Sequence, residues 1–186
     1  IEKGPTMVIL AEYKPPIFEK TGLRLVTASI RRPSPDVLDP KIHHSNQLTT
    51  ILARIESNHQ GADAALMLDQ RGFVAETDTT NLFIVKHGEV HTPFANACLH
   101  GITRGLTIRE ARKAGMTVVE RDISLVEVYA ADEVFMTGTI GEIVPVVEVD
   151  KRVIGDGKPG PVTLRIAELH RALTETEGVP IPRGDG

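Results

Sequence analysis

The sequence predicts a mixed α+β domain, a pseudo-barrel mixed sheet with flanking helices. Three observations predict it. Short runs rich in β-forming residues outnumber the helical patterns. Those runs do not alternate regularly with helices, as a doubly wound sheet would require. No Walker pattern is present, which removes the P-loop reading.

The elements follow in order. Met7–Glu12 is apolar and reads as a buried strand, ended by Pro15 and Pro16, which cannot donate ladder hydrogen bonds. Leu23–Ile30 is a second strand, partly alternating. Arg31–Pro40 is a proline-marked loop. Asn46–Asn58 is the clearest helix: Leu48, Ile51, Leu52 and Ile55 fall at i, i+3, i+4, i+7 and form one apolar stripe. Ala64–Asp69, Val74–Thr77, Leu82–Lys86 and Val90–Thr92 are short strands, separated by the turn signals Gln70-Arg71-Gly72 and His87-Gly88. Ile102–Ala114 is a helix closed by Gly115. Met116–Glu120 is a strand, and Ser124 caps a short helix through Ala131. Glu133–Thr137 and Ile143–Val149 are strands. Pro161 opens a last helix that buries Val162, Ile166, Leu169 and Leu173. The domain is taken as residues 1–178, with 179–186 a Gly- and Pro-containing tail.

Composition excludes several functions. The chain has 186 residues, 41% hydrophobic and 25% charged, with net charge -4. That is ordinary globular composition without a basic face, so a nucleic-acid partner is not expected. Its apolar runs are too short for a helical membrane span. The single cysteine, Cys98, cannot form an internal disulfide, which fits a reducing compartment such as the cytoplasm. No metal is expected. The chain opens Ile-Glu-Lys-Gly-Pro without an initiator Met and reads as the latter part of a longer protein.

Three segments carry residues suited to chemistry. In Gly72–Phe83 a strand delivers Glu76 to a polar stretch before a strand resumes, and a carboxylate there can hold a cationic ring nitrogen. A plain polar loop would look the same. In Cys98–Arg104, Gly101 precedes a helix whose free N–H groups and dipole favour an anion, and Thr103 adds a hydroxyl. A simple helix start fits equally. In Thr137–Glu142, small residues let backbone N–H groups form an anion nest, or merely make a turn.

Together these blocks, Glu-Thr-Asp-Thr-Thr-Asn-Leu-Phe, Leu-His-Gly-Ile-Thr-Arg, Ala-Asp-Glu-Val-Phe-Met-Thr-Gly-Thr and Glu-Ile-Val-Pro-Val, resemble the class IV (fold-type IV) pyridoxal-phosphate aminotransferases, the branched-chain type nearest. The resemblance runs from about Ser29 to Leu173 and implies the large C-terminal domain of that family, without its N-terminal domain. It implies pyridoxal 5'-phosphate as cofactor, with Glu76 on the pyridine nitrogen and Leu99 on the ring face. Gly101, Ile102, Thr103 and Thr139 would hold the phosphate, and Ile140 and Gly141 would receive the substrate carboxylate. Arg31 falls where a cofactor-contacting arginine is common. The implied partners are an amino acid and a 2-oxo acid, and the implied assembly is a homodimer. The implied reaction moves an amino group from a branched-chain or related amino acid to 2-oxoglutarate. D-amino-acid aminotransferase and aminodeoxychorismate lyase are relatives on the same fold.

One position departs from the pattern. The family's Schiff-base lysine lies three residues before the asparagine that matches Asn46, and here that position is His43. Imidazole cannot make that link. Lys41 lies two residues earlier; on an extended strand it would share a face with His43, about 6.5 Å away. Two readings stay open: Lys41 is the catalytic lysine in a shifted register, or the chain is a lysine-free relative, impaired or non-catalytic.

Overall fold

A computed structural model describes residues 4, 6–12 and 21–179. Among these residues, nine strands form one mixed sheet: β1 (Leu23–Thr27), β2 (Ala64–Leu68), β3 (Val74–Thr77), β4 (Asn81–Lys86), β5 (Glu89–Thr92), β6 (Val118–Glu120), β7 (Glu133–Gly138), β8 (Glu142–Val149) and β9 (Arg152–Val153). Their order is β3-β2-β1-β8-β7-β4-β5-β6, with β9 pairing β8. The pairs β1–β2, β1–β8 and β5–β6 are parallel and the others antiparallel. Among the described residues, five helices accompany the sheet: α1 (Pro35–Leu38), α2 (Leu48–His59), α3 (Ile102–Lys113), α4 (Leu125–Tyr129) and α5 (Pro161–Thr176).

Alternation across the pleat explains why the central strands are apolar throughout. Along β4, Leu82 and Ile84 enter one core with Leu25, Leu66, Met136 and Val146, while Phe83 and Val85 enter another with Ile108, Phe135 and Ile166. Phe83 pairs with Phe135 in register, and the rings stack with centroids 4.9 Å apart. Helices α3 and α5 supply Ile108, Ala111 and Ile166 to that second core.

Local signals place the junctions. His87 and Gly88 both take positive φ, the conformation of the two-residue turn joining β4 to β5. Ser124 and Glu127 form a reciprocal cap at α4. The buried Glu133 accepts hydrogen bonds from the Val162 and Thr163 backbone N–H groups, 3.0 and 2.7 Å, and so holds the start of α5. A Cβ at Gly160 would lie 2.1 Å from the Glu133 carboxyl carbon, which explains the glycine there.

Several expectations are corrected. Met7–Glu12 forms no strand, and Met7 to Leu10 are 78–85% exposed. The run has no ladder partner among the described residues, and a strand exists only through its pairing. The 31–40 loop contains α1, and the two-residue β9 adds a strand that its sequence does not signal. The α2 stripe does not pack inward: Leu48, Ile51, Leu52 and Ile55 are 41–61% exposed, while Ala53 and Ser57 are buried. Small side chains let the helix approach β2 closely, where Ala53 meets Ala65 and Met67. Helix α5 buries Thr163, Ile166, His170 and Leu173, with Val162 and Leu169 only partly covered. Its packing face is rotated because the Glu133 cap fixes its first turn.

Candidate active site

Strand β3 ends at Glu76 and Thr77, and the turn to β4 is stitched by hydroxyls. The Thr77 N–H donates to the Thr80 carbonyl at 2.8 Å, and the Thr77 and Thr80 hydroxyls lie 2.7 Å apart. This rigid turn sends its two acids apart. Asp78 pairs with Arg54 Nε at 2.5 Å and accepts the Ala65 N–H at 3.1 Å. Glu76 turns inward, 6% exposed. Arg32 Nη2 stands 2.9 Å from Glu76 Oε1, and Asn81 Nδ2 is 3.5 Å from Oε2. Burial pushes the Glu76 acid up to about 7, although Arg32 pulls the other way. A cation near Glu76 would complete its ionisation.

The opposite end is built to take an anion. Gly101 precedes α3 with φ 58°, and no side chain caps the helix. Its first-turn N–H groups are therefore left for another acceptor. A Cβ at Gly101 would also fall 2.0 Å from Asn81 Oδ1, so glycine is required twice over. Asn81 Nδ2 donates to the Leu99 carbonyl at 2.9 Å and ties the segment before α3 to β4. Thr103 is buried in the first turn.

The register Asn81↔Thr137 places the β7–β8 turn beside both features. Thr139, Ile140 and Gly141 lie in that turn, and the buried Thr137 Oγ1 has no hydrogen-bond partner among the described residues. The result is a cavity of about 660 Å³ lined by Lys41, Glu76, Leu99, Gly101, Ile102, Thr103, Thr139, Ile140 and Gly141, so these residues, each singled out in the sequence, face one space. His43 lines it too. A smaller cavity of about 220 Å³ adjoins it, and His43, Glu76, Thr79 and Leu99 line both.

One point differs from the sequence reading. Lys41 and His43 do not lie on an extended strand; Lys41 sits in a turn, its N–H donating to Asp39 Oδ1 at 3.0 Å and its Nζ 3.5 Å from Asp39 Oδ2. The arginine at Glu76 is Arg32; its neighbour Arg31 is exposed and donates to the Ala28 carbonyl at 3.1 Å. The Arg32 N–H donates to the Leu68 carbonyl, which sets Arg32 at the end of β2 beside β3. Asn81 is a further site residue that sequence reasoning misses, though it lies within a block already singled out. Neither residue has a local signal: adjacent arginines differ only by the register of the chain against β2.

The sequence matches the amino-transferase class IV family over residues 2–149. It is 53% identical over 180 residues to branched-chain-amino-acid aminotransferase-like protein 2 of Arabidopsis thaliana, covering 96% of this chain and 32% of that one. It is 40% identical over 150 residues to the branched-chain-amino-acid aminotransferase of Pseudomonas aeruginosa, covering 80% of this chain and 49% of that one. Among solved structures, the branched-chain amino acid aminotransferase from Thermobaculum terrenum in its PLP (holo) form superposes with a TM-score of 0.80 at 34% identity, covering 84% of this chain and 52% of that one. The chain thus spans between about a third and half of the length of these relatives. The likeness bears out the pseudo-barrel fold.

Proposed function

Because the chain belongs to the class IV aminotransferase family, we propose that it is the cofactor-holding part of a transaminase for branched-chain or related amino acids, with 2-oxoglutarate as amino acceptor. The observation that carries this is one cavity with a buried acid, Glu76, at one side and the uncapped start of α3 at the other. That polarity suits a ligand with a cationic ring nitrogen and an anionic phosphate. The unpartnered Thr137 hydroxyl is a group that such a ligand would use.

Pyridoxal phosphate, when bound, supplies an electron sink and an acceptor for the amino group. The chain's residues hold and orient it. Glu76 keeps a proton on the ring nitrogen, and Arg32 and Asn81 keep Glu76 in place. Leu99 covers the ring. Gly101, Ile102, Thr103 and Thr139 offer backbone and hydroxyl donors to the phosphate. The backbone at Ile140 and Gly141 receives the substrate carboxylate. Lys41 supplies the amine for the covalent link.

A second reading, a non-catalytic relative, is favoured by one observation: the Lys41 ammonium is paired with Asp39 and His43 holds the aligned position. Titration with pyridoxal phosphate followed by borohydride reduction separates the two. A pyridoxyl mass on the peptide bearing Lys41, lost in Lys41→Ala, establishes the enzyme reading. Saturable binding with no trapped adduct establishes the other. The relatives compared are named branched-chain aminotransferases or likened to them, which favours that substrate class over D-amino acids or a lyase reaction.

A homodimer belongs to the same proposal, and the exposed apolar stripe on α2 supports it. Sedimentation velocity tests it. A cytoplasmic location is also proposed: Cys98 is buried as a free thiol, and no described helix is long and apolar enough to cross a membrane.

A further inference from the structure

We propose that Asp78 and Arg54 are positioning residues for Glu76: their buried ion pair clamps the turn on which Glu76 stands and sets a second charge against the one that Arg32 supplies. What Glu76 then binds rests on the transaminase reading above; the role of the pair does not. Two cations serve two acids here. Arg32 Nη2 stands 2.9 Å from Glu76 Oε1, and Arg54 Nε 2.5 Å from Asp78 Oδ2. Arg32, Glu76 and Asp78 all line the small cavity.

The clamp joins three elements. One step past the last ladder pair of β2 and β3, Leu66↔Thr77, the Asp78 N–H donates to the Ala65 carbonyl at 2.9 Å, and Asp78 Oδ1 accepts the Ala65 N–H at 3.1 Å. The side chain stands in for a strand carbonyl and carries the pairing into the turn. Its other oxygen takes Arg54. That arginine comes from α2, where Ala53 lets the helix lie close on Ala65 and Met67, and its Nη1 also donates to the Asp63 carbonyl at 2.5 Å. The Asp78 side chain is only 1% exposed, so little water screens its charge. The next residue, Thr79, lines both cavities, so the clamped turn is part of the ligand space.

A charge so placed acts on Glu76. Burial is the main cause of the raised Glu76 acid; Arg32 opposes it, and the Asp78 carboxylate adds to it. Burial raises the Asp78 acid too, and Arg54 works against that rise. Other titratable groups near Glu76 are Cys98, whose thiol burial pushes up to about 12 and which also feels Arg104, and the His43 and His44 rings that line the small cavity. Among these, Asp78 brings the negative charge. It holds back the ionisation that Arg32 favours and leaves the Glu76 carboxyl group to answer a cation in the cavity.

The test is a pH titration of the full chain without ligand, following the Glu76 side-chain carboxyl by carbon NMR, with Glu76→Gln to assign it. Asp78→Asn keeps an oxygen for the Ala65 N–H and removes the charge. It is expected to move the Glu76 midpoint down by about half a unit or more. Arg54→Lys keeps both charges and is expected to hold the midpoint at the wild-type value. The paired change Arg54→Met with Asp78→Asn leaves neither side of the pair charged. It is expected to lower the midpoint as well, so a fold that rejects Asp78→Asn alone does not end the test. Overturning results are an unchanged or raised midpoint in either Asp78 variant, an equal fall in Arg54→Lys, or loss of folding in both Asp78 variants. Each would leave the pair a clamp for the fold alone. Binding of pyridoxal phosphate to the wild-type chain is measured apart, by calorimetry. Its absence overturns the transaminase reading and leaves the Glu76 titration standing.

Discussion

Arg32 Nη2 lies 2.9 Å from Glu76 Oε1, and both side chains are less than a tenth exposed. The pair joins the end of β1's outgoing loop to the end of β3. On the proposed reading it is a functional contact as well as a structural one. The carboxylate has traded water for one guanidinium and a long amide contact, and its acid is raised to about 7 in consequence. The site therefore holds an acid that a nearby cation would help to ionise.

Removing the arginine should expose that balance. Arg32→Met leaves Glu76 buried without its counter-ion and is expected to cost about 3 kcal/mol at pH 8. At pH 5 the acid can take up a proton, so the loss should be much smaller. Urea unfolding at both pH values checks it. Equal losses would show that Arg32 acts by packing alone.

Glu76 should also shape the pH dependence of stability. Its acid is raised in the folded chain from 4.5 to about 7. Between those values the native state binds a proton that the unfolded state has lost, so stability from this group falls as pH rises. It is fully present below pH 4.5 and lost through pH 7. The drop is at most about 3 kcal/mol. Glu76→Gln should flatten this part of the curve. Parallel stability curves for the two proteins between pH 5 and 8 would refute the assignment.

Gly101→Ala should damage the anion end. The φ of 58° disfavours any side chain, and the new Cβ would fall on Asn81 Oδ1. A stability loss of about 1–3 kcal/mol is expected, with loss of the Asn81–Leu99 hydrogen bond. Binding of pyridoxal phosphate, measured by calorimetry, should weaken while pyridoxal without the phosphate is little affected. Equal weakening of both would place the effect elsewhere in the cavity.

Glu133 and Gly160 should be energetically coupled. Glu133→Ala removes the two acceptors at the start of α5 and is expected to cost about 1–2 kcal/mol. Gly160→Ala should cost a similar amount because its Cβ has no room beside the carboxyl group. With the carboxyl gone, the glycine is no longer needed, so the double variant should be less destabilised than the sum. Additive losses in denaturant unfolding would break the coupling.

Much of this architecture is legible because it is local. Strand β3 has the bounds expected from its sequence, and β2, β4, β7, β8 and α3 differ by a residue at an end. The Ser124 cap and the His87-Gly88 turn follow from side-chain chemistry acting within a few residues. Glu76 and Thr103 can be singled out because strand ends and helix starts are where backbone groups are free, and Thr139 through the family resemblance of its block. The readings that fail needed a partner. Met7–Glu12 has the composition of a strand and no strand to pair with among the described residues. The α2 periodicity identifies an apolar stripe but not which face meets β2, and the alanine face fits closer.

The sequence by itself determined the α+β class, most element boundaries and the three polar segments, because backbone sterics, side-chain period and turn chemistry act over short range. Only the tertiary structure decided what meets at the site. The pairing of β4 with β7 brings the turn after β3 to the turn after β7, and Asn81 binds the segment before α3 to both. The hydrogen bond from Arg32 to Leu68 selects Arg32 over Arg31. The turn at Lys41 sets it and His43 on one cavity. Those choices depend on contacts between residues far apart in the chain, and no local preference encodes them.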